Sequence, residues 1–356
     1  MADFPTTPEA LDADRLTRYL RRSGHLTDGE VSSFEHRVIG TGKMGDNARI
    51  TLTYAGDRGQ APATLVGKFP ATEEATREAA GAGGAYYNEV MFYRELAPHT
   101  TMRIPTIYAS ELSEDRTEFL LLMEDMAPAE PGNNLEGASR AQAELALPQA
   151  ARLAAAFYGN EGTAEHDFVM TAARDDGGEF GAVLMEQFWP GFVDRYGHGM
   201  SREMIAFGER YVRNHRHFVT RFDGPRTLAH GDFRSENILY GDGVATTVDW
   251  QTPGESSALT DASYFLGGSV TPEERREWER DLIAQYRVEL DREGAALSEQ
   301  DCWDQYREFA MHGIIIIVLG ASFSTPDERS DRMFLTLIQR HLTHCMDVDA
   351  GEFLPA

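Results

Sequence analysis

Apolar and polar positions in the first third of the chain follow a mixture of two periods. Arg49 to Tyr54 alternates strictly, with Ile50, Leu52 and Tyr54 on one side and Arg49, Thr51 and Thr53 on the other. That is the period-two signature of a strand with one buried face. Thr64 to Phe69 predicts a second strand, and Glu118 to Met123, with its Phe-Leu-Leu-Leu-Met run, a fully buried one. Between them, Tyr86 to Leu96 has helical spacing. Near the start, Thr6, Thr7, Pro8 and Glu9 have the order of a helix start: a Thr cap, Pro in the first turn and an acid at the positive end of the dipole. Leu16, Tyr19 and Leu20 would form that helix's apolar face.

From Pro128 onward the texture turns helical. Leu145 to Tyr158 is Ala-rich, and Ser201 to Phe222 carries Met204, Phe207, Tyr211 and Phe218 at helical spacing. Arg275 to Leu290, Asp301 to Leu319 and Arg332 to Met346 continue it. One stretch breaks the pattern, Leu228 to Asp249, where short apolar runs flank a polar loop. The pattern predicts an α+β protein with a strand-rich lobe over residues 1–127 and a mostly helical lobe over 128–356. Clefts where such lobes join are favoured ligand sites.

Composition narrows the function classes. The 356 residues carry 33 Lys plus Arg against 58 Asp plus Glu, a net charge of -25. Such a surface repels phosphate backbones and anionic lipid, so neither a nucleic acid nor a membrane is expected as partner. Cys302 and Cys345 are too few for a disulfide framework or a structural zinc centre. Cys345 follows His341 and His344, which read as ordinary helix residues. The polar opening, Met1 to Glu9, has no secretory h-region, and the apolar run from Gly313 to Ala321 is too short to cross a bilayer. A soluble cytoplasmic protein is the expectation; oligomeric state is not legible.

The densest chemistry sits in the break. His230-Gly231-Asp232-Phe233-Arg234-Ser235-Glu236-Asn237 precedes a strand-like Thr246-Thr247-Val248-Asp249-Trp250. Phosphoryl transfer needs a carboxylate to orient a hydroxyl and take its proton, and hard oxygen donors for Mg²⁺. Asp232 suits the first role; Asn237 and Asp249 suit the second. The spacing from Asp232 to Asn237 equals that of the protein-kinase catalytic loop.

This His-Gly-Asp-x-x-x-x-Asn string, with its Val-Asp-Trp strand end, resembles the aminoglycoside phosphotransferase and choline kinase superfamily. Val248-Asp249-Trp250-Gln251, followed by Leu259-Thr260-Asp261-Ala262-Ser263-Tyr264-Phe265-Leu266-Gly267-Gly268, is similar to its ecdysteroid kinase-like branch. The resemblance implies a protein-kinase-like bilobal fold with an antiparallel-sheet N-lobe. It also implies ATP-dependent phosphorylation of a small-molecule alcohol, with Asp232 as base and Asn237 and Asp249 on Mg²⁺. The branch usually has Asp-Leu-Ala where this chain has Asp261-Ala262-Ser263; Asp261 is read as support for the catalytic loop.

The first lobe supplies matching parts. Gly40-Thr41-Gly42-Lys43-Met44-Gly45 is a GxGxxG string, but a strand follows rather than the helix of a dinucleotide fold. Gly40, Gly42 and Gly45 are therefore expected in a hairpin loop over phosphates, or in a plain turn. Lys68, inside an apolar strand, either snorkels to solvent or meets an anion; Glu89 is its expected helix partner, with Glu95 weaker. Met123-Glu124-Asp125-Met126 leads out of the buried strand; the resemblance implies that the Glu124 carbonyl and the Met126 N–H bond adenine there, a strand that merely ends being the alternative. Arg234 is expected near the γ-phosphate. A protein kinase fits less well, because the stretch from Asp249 to Asp261 leaves no room for an activation loop. A hydroxyacyl-coenzyme A kinase and a nucleotide-binding pseudokinase scaffold remain as alternatives. With the net charge of -25 a neutral or cationic acceptor is expected; the resemblance implies that Asp175, Asp176, Glu179, Glu186 and Asp194 lie near it, a plain solvated acidic face being the alternative.

Overall fold

The computed structural model describes residues 3–40, 44–325 and 327–355. The chain divides into two compact units that are not contiguous in sequence. The first holds Met1–His99, Ile104–Pro128 and Val248–Thr252; the second holds Thr100–Arg103, Ala129–Thr247 and Pro253–Ala356.

The first unit contains α1 (Ala13–Arg22), β1 (Glu30–Ile39), β2 (Gly45–Ala55), β3 (Thr64–Pro70), α2 (Glu74–Ala82), α3 (Ala85–Met91), β4 (Ile107–Leu112) and β5 (Phe119–Glu124). All five strands form one antiparallel sheet in the order β1-β2-β3-β5-β4. Ile50, Leu52, Leu65, Phe69, Leu120 and Leu122 share one face and pack with Leu16, Tyr19 and Leu20 of α1. The unbroken Phe-Leu-Leu-Leu-Met run of β5 has a simple cause. This strand lies between β3 and β4 and is covered on both faces, its other side meeting Tyr86 of α3, which stacks on Phe119 at 4.4 Å. The α1 start differs from the sequence expectation. Pro8 opens only a three-residue 3₁₀ turn, and the helix begins at Asp12, whose side chain accepts from Arg15 N. Strands β1 and β4 had no clean alternation to announce them; β1 is mostly exposed along its length.

The second unit comprises β6 (Glu130–Pro131), α4 (Arg140–Phe157), α5 (Glu179–Tyr196), α6 (Arg202–Arg213), α7 (His215–Arg221), β7 (Thr227–Ala229), β8 (Ile238–Gly241), β9 (Val244–Thr247), β10 (Gly254–Ser256), α8 (Thr260–Ser269), α9 (Pro272–Arg292), α10 (Glu299–Glu308), α11 (His312–Phe323) and α12 (Glu328–Asp347). Ser139, Ser201, Thr271, Ser298 and Asp327 each cap a helix through the side chain, which is why these helices begin where they do. Arg275, 1% exposed, pairs with Glu279 at 2.6 Å and with Asp347, while Tyr306 donates to Glu279 at 2.8 Å. That cluster joins α9, α10 and α12. Glu299–Phe323 is long and apolar enough to cross a membrane by length and composition alone, but over half of its most apolar window is buried, as in a core helix.

All ten residues of α8 are buried. Its close neighbour is His341 on α12, fully enclosed and seated against glycines. A Cβ at Gly313 would come 2.2 Å from the His341 ring, and one at Gly268 2.6 Å from it. Burial pushes the His341 pKa down to about 3, so the ring stays neutral. Gly313→Ala should therefore lower stability although alanine favours helix: the overpacking term, about 1–3 kcal/mol, exceeds the propensity gain of about 1 kcal/mol. Thermal unfolding of the variant checks the sign, and an unchanged or raised Tm would contradict it.

Candidate functional site

In the first unit the sequence expectation for Lys68 resolves cleanly. Leu65 and Phe69 of β3 face the core, so Lys68 emerges on the opposite face. Its ammonium lies 2.6 and 2.8 Å from the two carboxylate oxygens of Glu89, and 2.9 Å from Asp249 Oδ1. The Lys68 side chain is 12% exposed and that of Glu89 1%. Burial alone would push the Lys68 pKa down, but the Asp249 and Glu89 carboxylates outweigh it and hold the pKa above the usual lysine value. Burial raises the Glu89 carboxyl, and the ammonium opposes that shift. Lys68 does not snorkel; it is a buried cation between two carboxylates.

Asp249 is presented by the short segment Val248–Thr252, which packs with this unit rather than with β9 before it. Its φ of +71° is uncommon for a non-glycine residue, and such strain persists where surroundings over-determine it. Here the next two residues are pinned. Trp250, fully buried, stacks on Phe92 at 3.5 Å with rings 6° from parallel, and Asn88 Nδ2 donates to the Gln251 carbonyl at 2.9 Å. Asn88, Glu89 and Phe92 lie on one helical face, so α3 and the π-helical turn that continues it (Phe92–Leu96) hold both partners of Lys68.

Strands β1 and β2, which precede and follow the glycine string, pair antiparallel. Gly40 takes φ +71°, the left-handed region that favours glycine. Gly42 lies outside the described residues. Gly45 opens β2, where a Cβ would fall 2.6 Å from the Phe69 carbonyl, so strand contact already demands a glycine there. Tyr86 secures the loop's far end, donating to the Met44 carbonyl at 2.7 Å and accepting from Ala71 N. At the end of β5, the Glu124 carboxylate accepts from Thr106 N and Oγ1, and Asp125 pairs with Arg49 at 2.7 Å. Met126 stands two residues beyond the strand.

In the second unit the loop from His230 to Asn237 is held by backbone contacts to α8. The Asp261 carboxylate accepts from His230 N at 2.7 Å and Gly231 N at 3.1 Å, and Ser269 Oγ accepts from Ser235 N at 2.9 Å. His312, first residue of α11, bonds the Gly231 carbonyl through Nε2 at 2.8 Å. The Asp232 carboxylate receives three donors: Tyr264 OH on Oδ1 at 2.8 Å, and Arg234 Nε and Asn237 Nδ2 on Oδ2, each at 3.0 Å. Asn237 Nδ2 also donates to the Asp232 carbonyl, so the amide is oriented with its oxygen left for another partner. Arg234, expected at a phosphate, bonds Asp232 here.

Sequence reasoning named Lys68, Glu89, Asp249, Asp232, Asn237 and Asp261. It missed Tyr264 and His312 as contacts of the loop. Tyr264 could have been found: it is three residues after Asp261, on the same face of one helix. His312 had only a weak signal, a polar residue heading an apolar run. Among the described residues no cluster of three His, Cys, Asp or Glu suited to a metal ion is present. Asp249 and Asn237 offer hard oxygens of the kind Mg²⁺ takes alongside substrate phosphates.

A sequence model of the ecdysteroid kinase-like family matches residues 42–299. No curated protein matches the chain. Among solved structures, choline kinase from Cryptosporidium parvum is similar at 10% identity with a TM-score of 0.57, covering 97% of this chain and 98% of that one. Amicoumacin kinase hAmiN, solved with AMP-PNP, Ca²⁺ and Ami, is similar at 12% identity with a TM-score of 0.54, covering 91% and 92%. The gentamicin complex of APH(2")-IIa is similar at 15% identity with a TM-score of 0.51, covering 97% and 99%. At these identities the likeness is one of fold: a bilobal kinase-like architecture.

Removing one member of the Lys68 cluster should be costly. Lys68→Ala leaves Glu89 buried without its cation and should destabilise by about 3–5 kcal/mol. Lys68→Ala combined with Glu89→Ala should recover much of that stability, since no carboxylate is then left buried beside the missing cation. Thermal unfolding of both variants checks this; a double variant no more stable than Lys68→Ala would contradict it.

Proposed function

Because the chain belongs to the ecdysteroid kinase-like family, we propose that it is an ATP- and Mg²⁺-dependent phosphotransferase acting on a hydroxyl of a small molecule. The observation that carries this reading is the state of Asp232. It is a carboxylate fixed by three donors, in a loop that also ties the Asn237 amide nitrogen to the Asp232 carbonyl. A scaffold that only bound nucleotide would have no use for an oriented base.

In this reading Lys68, kept charged by Glu89, binds the α- and β-phosphates, and the glycine loop at Gly40 to Gly45 covers them. The Glu124 carbonyl and Met126 N–H bond adenine. Asp249 and Asn237 supply oxygens to Mg²⁺. Mg²⁺, when bound, neutralises charge on the phosphate oxygens. Asp232 orients the acceptor hydroxyl and takes its proton. Arg234 steadies Asp232 and lies in the loop where charge builds on the transferred group.

The acceptor's character follows from α11. This helix is largely apolar, and its exposed and partly exposed residues fall on one side, where Ile315, Ile316, Leu319 and Phe323 lie together with His312, Gly320 and Ser322. Phe323 is 69% exposed and meets Phe188 of α5 edge-on at 5.2 Å. The face begins at His312, which contacts the catalytic loop, and it favours an acceptor with a neutral, apolar body. The acidic residues of the 175–194 segment are partly engaged: Glu179 pairs with Arg216, and Asp175 accepts from Gly181 N. A coenzyme A thioester, a polyanion, suits neither feature.

Two outcomes are expected. Asp232→Asn should lower kcat by roughly 10²–10⁴ with Mg-ATP affinity retained, whereas Asp249→Asn should weaken Mg-ATP binding as well as turnover. Near-normal kcat in both variants would exclude the assignment. In a screen of hydroxylated compounds for ATP-dependent gain of one phosphate, amphipathic alcohols should be turned over with little dependence on salt. Phe323→Ser should raise KM for them while leaving Mg-ATP affinity unchanged. Preferred turnover of polycationic aminoglycosides, with rates that fall as salt rises, would refute the apolar acceptor.

A further inference from the structure

An ionised carboxylate offers about four lone-pair sites, two on each oxygen. On Asp232, Oδ2 accepts from both Arg234 and Asn237, so its two sites are filled. Among the described residues Oδ1 accepts from Tyr264 alone, at 2.8 Å. One site is left, and it is on Oδ1.

Resting on the phosphotransferase reading above, we propose that Asp232 Oδ1 is the atom that takes the acceptor proton, and that Tyr264 is the positioning residue that holds this oxygen. In the step itself the acceptor O–H breaks and its proton passes to Oδ1. The freed oxygen pair forms the bond to the γ-phosphorus, and the bond from that phosphorus to the β-bridging oxygen breaks, releasing ADP. Tyr264 neither gains nor loses a proton overall.

Several features make Tyr264 suited to holding rather than reacting. The residue is 2% exposed and rises from α8 one turn after Asp261, which holds the loop backbone at residues 230 and 231. One helix thus fixes both the loop and the carboxylate it carries. The Tyr264 ring stacks on His341 at 5.0 Å and 15°, and His312 meets it edge-on at 5.5 Å. Burial, and then the neighbouring Asp232 charge, hold the phenol well above its ordinary pKa, so it stays a donor. His341 itself is seated against Gly268 and Gly313, which leaves the ring little room to shift. The hydroxyl's place is therefore set by rigid packing, as a positioning group requires.

Tyr264→Phe deletes the hydroxyl and keeps the ring, so the stack on His341 and the fold persist. The measurement is a cycle of wild type, Tyr264→Phe, Asp232→Asn and the double variant. Each is assayed for ADP release from Mg-ATP, with water and with the alcohol selected in the screen as acceptors. Tyr264→Phe should lower kcat roughly 10- to 100-fold, the loss of one hydrogen bond to a charged group, with KM for ATP and Tm unchanged. In the Asp232→Asn background the same change should have no further effect, because Tyr264 acts through that carboxylate. An unchanged kcat in Tyr264→Phe would overturn the inference, and so would an equal loss in the Asp232→Asn background or a loss that tracks a fall in Tm. A wild-type chain that releases no ADP with any acceptor would overturn the phosphotransferase reading and this inference with it. An active wild type with an indifferent Tyr264→Phe would overturn this inference alone.

Discussion

A buried ammonium must have its counter-charges with it, and Lys68 imposes that requirement on the whole first unit. Desolvating an ion costs several kcal/mol, which only close carboxylates and hydrogen bonds return. Glu89 and Asp249 do so from positions 21 and 181 residues away. Strand β3, helix α3 and the segment after β9 are therefore locked to each other by one charge. The other contacts serve this arrangement. Trp250 on Phe92 and Asn88 on Gln251 hold the backbone beside Asp249 in a conformation it would not adopt alone. The net charge of -25 has little bearing on it; what counts is three groups within hydrogen-bond distance in low dielectric.

The second unit solves a different problem, holding an irregular loop in place. The loop bearing Asp232 has little regular structure, and α8 replaces the missing ladder. Asp261 takes two loop amides, Tyr264 takes the carboxylate and Ser269 takes a third amide. Because α8 is buried along its whole length, these contacts are strong and leave the loop one arrangement. Both units thus hold their chemistry in the same way, with one helix supporting a short irregular segment.

How much of this was legible depended on whether the signal was local. The alternation at Ile50, Leu52 and Tyr54 revealed β2, and the Phe-Leu-Leu-Leu-Met run revealed a strand covered on both sides. Strand β1, exposed along most of its length, has no such pattern to read, and Pro8 suggested a helix that Asp12 in fact begins. The spacing of Asp232 and Asn237 was legible because the two are close neighbours, and the structure joins their side chains. Glu89 was found by helix position, but the three-way meeting with Asp249 depends on packing no local window contains. Gly45 is a position where the string has a second explanation: the nearness of the Phe69 carbonyl is by itself sufficient reason for a glycine.

The placement of Val248–Thr252 has a practical consequence for dissecting the protein. A fragment ending at the close of β5 would hold every strand of the five-stranded sheet, and so would look complete. It would nonetheless lack Asp249 beside Lys68 and the indole that covers Phe92, leaving Lys68 with Glu89 alone and a bare aromatic face in its interior. The reciprocal fragment would carry those five residues with nothing to bind them. Mixing the two pieces, or grafting residues 248–252 onto the first through a flexible tether, is the form in which the sheet unit could be studied alone. Sequence order and folding unit are simply different partitions of this chain.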